Sequence, residues 1–210
     1  VTSTIKTAVI TGRHAFDVPA FHALFRSMPD LDFYMQDLDN LVADTERVFD
    51  QYDVFLFYNM HTTTPEGKAK ATLERLGQSA QGIFVMHHAL LAFPDWPFWS
   101  KICGIQDRSF EYYHDQRLNV EVVDPGHPIT AGMSAWRMVD ETYLMDDVGQ
   151  DSHVLLTVDH PKSMRTIAWT RQFGVARVFC LASGHDRQTF VDPNYRQVVF
   201  RGIQWTAGRI

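Results

Sequence analysis

Five of the ten histidines stand at or just beyond runs of β-branched, aliphatic or aromatic residues: His14 behind IKTAVITG, His61 behind DVFLFYNM, His87 and His88 behind GIFVM, and His185 behind ARVFCLASG. An imidazole changes charge near neutral pH, so each can take or give a proton, and in its neutral form each can ligate a transition metal. Histidine also favours polar loops, so position alone assigns no role. The segment GIFVMHHAL carries the most weight, because a strand that turns sharply into a helix presents its turn residue above the sheet beside free helix N–H groups. His88 is the residue expected there, since adjacent strand residues point to opposite faces and His88 is followed by the small Ala89. His127 is fenced by Pro125, Gly126 and Pro128 and is assigned to a turn. His22, His153 and His160 fall on flanks and receive no role.

Those positions matter only if a parallel sheet gathers them. The first half alternates short β-type runs with longer amphipathic ones, the mark of βαβ units. Strands are expected at Ile5–Gly12, Leu31–Asp37, residues 53–59 and residues 81–88. Helices are expected after the Asp17 cap, with Phe21, Leu24 and Phe25 inward, over Asn40–Tyr52 on a Leu41, Thr45, Val48 and Phe49 stripe, and over residues 66–80. In such a sheet ligands sit at the carboxyl ends of the strands, where the five histidines stand. Beyond Leu91 the pattern changes. AFPDWPFWSKICG and the polar IQDRSFEYYHDQR read as an inserted wall of the site. Trp96, Phe98 and Trp99 either plug the sheet edge or give a sugar ring an apolar platform. Five short strands follow, at Leu118–Asp124 and residues 141–145, 153–159, 165–172 and 176–183, some of them antiparallel at one edge, and a helix from Tyr195 to Thr206 closes the chain. The fold class is therefore α/β, three-layered, with a mostly parallel sheet, helices on both faces and extra antiparallel edge strands.

Composition narrows the function. With 45% hydrophobic and 21% charged residues the chain is outside the regime of disorder. At roughly 100–200 residues per domain, residues 1–210 make one domain. The net charge of −6 and the lack of any Lys/Arg cluster argue against nucleic acid, and no apolar run is long enough to span a bilayer. The opening residues have no secretory pattern, and Cys103 and Cys180 lie far apart outside any C-x-x-C spacing, so a reducing cytoplasm is the expected compartment. TGRHAF lacks the G-x-G-x-x-G of a dinucleotide site.

GIFVMHHAL, the Trp-rich stretch, FEYYH, HPITAGM, DETYLM, IAWTRQFGVARVFCLASGHD, the F-x-D-P-N-Y pattern and RGIQWTAG occur in an order that resembles the ThuA-like family, named for trehalose utilisation. The resemblance covers nearly the whole chain and implies a fold like that of class I glutamine amidotransferases, with His88 where those enzymes carry their catalytic cysteine. Without that thiolate a glutaminase cannot form its acyl intermediate. The resemblance also draws in His114, Glu141 and His185. It implies a protein of carbohydrate metabolism, leaning to an enzyme, with a small-molecule carbohydrate as partner. In this reading His88, Glu141 and His185 do acid–base work on a sugar or keto-sugar, while His14, His61, His114, Trp96 and Trp99 bind it. Two alternatives stay open: a sugar-binding or regulatory module without catalysis, and a metal-assisted enzyme using the histidines and the glutamate around a zinc-type divalent ion. Homo-oligomerisation is also open.

Overall fold

The structure, a computed structural model, describes residues 4–43 and 46–210. Nine strands among them form one sheet: β1 (Ile5–Thr11), β2 (Leu31–Asp37), β3 (Val54–Phe57), β4 (Gly82–Met86), β5 (Glu111–Val122), β6 (Trp136–Leu144), β7 (His153–Val158), β8 (Thr166–Phe173) and β9 (Ala176–Leu181). Their order is β2-β1-β3-β4-β9-β8-β7-β5-β6. Pairing is parallel from β2 through β9 and antiparallel from β9 through β6. Every residue of β3 and β4 is buried, as continuous apolar runs require of central strands covered on both faces.

Direction decides which ends meet. Four antiparallel steps from β9 return β6 to the direction of β9, so the carboxyl half of β6 lies at the same end of the sheet as those of β1, β3, β4 and β9. β5 runs the other way, and its first residues reach that end too. Residues far apart in sequence thereby share one rim.

The helices are α1 (Val18–Arg26), α2 (Leu38–Ala43), α3 (Glu46–Phe49), α4 (Gly67–Leu73), α5 (Pro97–Cys103), α6 (Arg187–Phe190) and α7 (Pro193–Thr206). Asp17 caps α1 by accepting from the Ala20 N–H at 3.0 Å, and Phe21, Leu24 and Phe25 are buried as their spacing requires. Where one helix was expected over Asn40–Tyr52 the chain makes α2 and α3; Thr45 lies outside the described residues. The helix expected over residues 66–80 ends at Leu73 and gives way to turns, with Gly77 at φ +83°. The polar stretch read as a wall supplies the first half of β5, which is twice as long as its apolar portion alone suggests. No helix among the described residues is long and apolar enough to cross a membrane.

α7 packs across β3, β4 and β9 through two missing side chains. A Cβ on Gly202 would sit 2.4 Å from the Phe179 ring, and one on Gly82 would sit 2.6 Å from the backbone of Thr206. Alanine at 202 would gain helix propensity but overpack this contact. Gly202→Ala is expected to lower the unfolding free energy by about 1–2 kcal/mol net, read from the urea midpoint.

Candidate functional site

β4 ends at Met86 in extended backbone, and His87 takes the left-handed conformation (φ +52°) that a histidine adopts rarely. A 3₁₀ turn over His87–Leu91 follows. Strand alternation therefore lapses between the two histidines, and both rings stay on the rim side but diverge. The sequence favoured His88 as the one facing the site, and the structure corrects this. His87 Nδ1 donates to the Ala182 carbonyl at 2.8 Å, which leaves Nε2 to accept from the Tyr143 hydroxyl at 2.9 Å. His88 turns the other way: its Nε2 donates to the Tyr58 carbonyl at 2.9 Å and its ring stacks on His14 with centroids 4.1 Å apart.

The group that His87 meets is Glu141, a residue only 6% exposed. His87 Nε2 lies 3.4 Å and His185 Nδ1 3.5 Å from Glu141 Oε1, and these two nitrogens are 3.3 Å apart. His114 Nδ1 holds the other oxygen, Oε2, at 2.7 Å. His114 reaches it through a β-bulge: Tyr113 pairs Thr142 and Gln116 pairs Asp140, so His114 and Asp115 together oppose Glu141. Such bulges redirect a side chain beside a site. Asp115 stands at φ +55° and accepts from Gln188 Nε2 at 2.8 Å.

A cavity of about 260 Å³ opens over this cluster. His14, His114, Glu141, Tyr143 and His185 are its polar lining, and Met60, Leu91, Phe110 and Tyr112 its apolar wall. A second cavity, of about 600 Å³, is lined by Asp95, Lys101, Asp146 and Arg171 among others and by no histidine; Arg171 is paired there with Asp151 at 2.7 Å.

Three expected binding residues lie elsewhere. Trp99 is fully buried on the inward side of α5, with Nε1 donating to the Ala89 carbonyl at 2.9 Å and its ring edge-on to Phe57 and Phe93. Trp96 stacks on Phe98. Because Pro97 starts a helix there, the tryptophans pack inward and brace the His87 turn; Phe110 and Tyr112 supply the aromatic surface in their stead. His61 follows β3 but pairs with Asn59 Nδ2 at 3.0 Å and stacks on Phe93, leaving Met60 to line the cavity. Sequence reasoning preferred His88 to His87 and passed over Tyr143 and Asp140. Tyr143 was within reach, since two residues after Glu141 on one strand is the same face.

Burial opposes the charge on Glu141, yet the adjacent His87 and then His185 outweigh it and hold its carboxyl below the usual range. Burial and then the His87 ring lower His14 and His185. Burial, aided by His87 and His14, pushes His88 down to about 2. Burial raises the Tyr143 hydroxyl well above its ordinary value, so it stays a donor.

The family described as ThuA, trehalose utilisation, matches residues 7–206, nearly the whole chain. The chain belongs to the ThuA family. A ThuA-like protein of Parabacteroides merdae is 21% identical with a TM-score of 0.78, covering 99% of this chain and 92% of its own. One from Bacteroides uniformis is 17% identical with a TM-score of 0.77, covering 98% and 93%. The fold extends to a Thermoplasma acidophilum protein described as part of a GMP synthase, 9% identical with a TM-score of 0.58, covering 99% and 96%. No curated protein matches by sequence. The amidotransferase-like architecture of this ThuA chain thus agrees with its motifs, and its left-handed turn after β4 carries an imidazole.

Because the fold of this ThuA protein keeps His88 neutral down to about pH 2 while an unfolded histidine protonates near 6.5, the unfolded state binds more protons between those values. Stability is then full above about pH 6.5 and declines as pH falls. Urea titrations at pH 7, 6 and 5 are expected to show a loss of about 1 kcal/mol per unit below 6.5, with a shallower slope in His88→Gln.

Proposed function

We propose that this ThuA-family chain acts on a sugar or keto-sugar of the trehalose-glycoside type in the cavity above the sheet, with a zinc-type divalent ion held by His87, Glu141 and His185. The observation that carries this reading is the triangle of donor atoms, with edges of 3.3, 3.4 and 3.5 Å. Ligands about 2.0–2.1 Å from a tetrahedral zinc stand about 3.3–3.4 Å from one another. Two imidazoles and one carboxylate form a set that open catalytic sites use. The outer contacts fit as well: the Ala182 carbonyl fixes the His87 tautomer with Nε2 toward the triangle, and His114 orients the second oxygen of Glu141.

A bound ion would supply Lewis-acid polarisation of a substrate carbonyl or hydroxyl oxygen. The chain's own groups do the rest. The lone pair of His87 Nε2 that accepts from Tyr143 cannot serve a second acidic partner, so occupancy of the triangle frees the Tyr143 hydroxyl to donate to a substrate oxygen. His114, with its side chain 55% exposed at the mouth, is the imidazole that exchanges a proton with the carbon beside a carbonyl. Phe110 and Tyr112 offer the apolar wall for the C–H face of the ring. The volume, about 260 Å³, is below the roughly 300–1,000 Å³ of sites for drug-sized ligands, which suits one sugar ring. A cytoplasmic location, in keeping with two free buried cysteines, belongs to the same proposal.

Elemental analysis of the purified protein is expected to find one zinc per chain, with affinity falling by more than the roughly 10–100-fold of an outer-shell change in His87→Ala and His185→Ala. With a keto derivative of trehalose, exchange of the hydrogen beside the carbonyl for solvent deuterium, followed by NMR, is expected to stop on chelation and in Glu141→Gln. Wild-type protein that neither binds zinc nor catalyses exchange would end this reading.

A further inference from the structure

We infer that Asp140, which contributes nothing to the cavity lining, is the positioning residue of the site: it holds Glu141 and His185 by their backbones at the spacing where both meet His87. The inference rests on the metal-site reading above and deepens it. Asp140 is 2% exposed and faces away from Glu141 by strand alternation. Its Oδ1 accepts from the Glu141 N–H at 2.9 Å and the His185 N–H at 3.0 Å, and its Oδ2 accepts from the Gly184 N–H at 2.7 Å. The three partners are all donors, which only a group with two accepting oxygens can satisfy together.

The segment it grips has no strand to hold it, because β9 ends at Leu181. Its carbonyls are held instead by two tyrosines: Tyr58 donates to Gly184 at 2.8 Å and Tyr195 donates to Ser183 at 3.2 Å. Gly184 stands at φ +124°, and a Cβ there would lie 2.2 Å from the Tyr195 hydroxyl oxygen, so only glycine fits where this backbone passes. Carbonyls are tied from one direction and N–H groups from the other. A buried carboxylate is a costly way to stabilise a core, and an apolar residue often serves stability equally well. What an apolar residue cannot do is fix the backbone of two site residues at once.

Asp140→Asn replaces one accepting oxygen by an N–H₂ that must face a backbone N–H. In this variant, checked for cooperative unfolding, the zinc dissociation constant by chelator competition is expected to rise about 10–100-fold, the range for outer-shell changes. Leu41→Ala, a core change beside β2, serves as a destabilised control whose zinc affinity should stay at the wild-type value. If Asp140→Asn does not fold, Asp140→Ser, smaller and still an acceptor, is read by the same criterion. Wild-type affinity in a folded Asp140 variant, or equal weakening in the control, would overturn the inference. Should wild-type protein bind no zinc, the metal reading fails and Asp140 is judged on metal-free protein. Its substitution must then move the His185 ring signals in the NMR spectrum while leaving those of His153 in place, and coincident His185 signals would refute it.

Discussion

A carboxylate buried among imidazoles is the interaction on which the upper end of this molecule is organised. Glu141 has given up most of its hydration, and a charge so placed must be met by donors or cations to be tolerated. Three elements bring an imidazole against it: the turn after β4 with His87, the bulge of β5 with His114, and the loop after β9 with His185. Neighbouring packing follows from keeping them in place. Trp99 and the buried Arg108 hold the carbonyls of the turn, the Arg108 guanidinium binding those of Leu90 and Phe93 at 2.9 and 2.7 Å.

Much of the framework was legible because periodicity reports burial. The runs at β1, β3, β4 and β9 read as strands since both faces are covered, and α1 and α7 read as helices from a cap residue and an apolar stripe. The rim position of His14 and His185 followed from strand ends alone. Antiparallel pairing at one edge in the second half was legible too, but the order of those strands was not, because it depends on turns and on which edge is free. Expecting β5 to start at Leu118 failed because Glu111–Arg117 is mostly exposed, so its polar residues look like a loop while backbone pairing makes them strand.

Two kinds of misplaced assignment come from features that periodicity does not carry. Alternation was applied to His87 and His88 as though the strand continued, but φ +52° at His87 ends it at Met86, two residues earlier. Aromatic residues near a pocket were weighed as a ligand platform, yet an indole whose N–H can reach a backbone carbonyl packs well inside, and Trp99 does so. Local conformation and hydrogen-bond supply, neither written in periodicity, decided both.

The extra residue in β5 reconciles two demands that a regular strand could not meet. Below it, even-numbered positions such as Leu118 and Val120 turn to the packed interior, in step with Met138 and Trp136 of β6. Above it the parity flips: Tyr113, not Tyr112, shares the side of Leu118, which frees Tyr112 to pair with Tyr143 on the opposite side. Loss of one residue at 114–115 would force a choice, with either the aromatic wall turned inward or the apolar half of the strand turned to water. The length of this segment is accordingly as constrained as its chemistry.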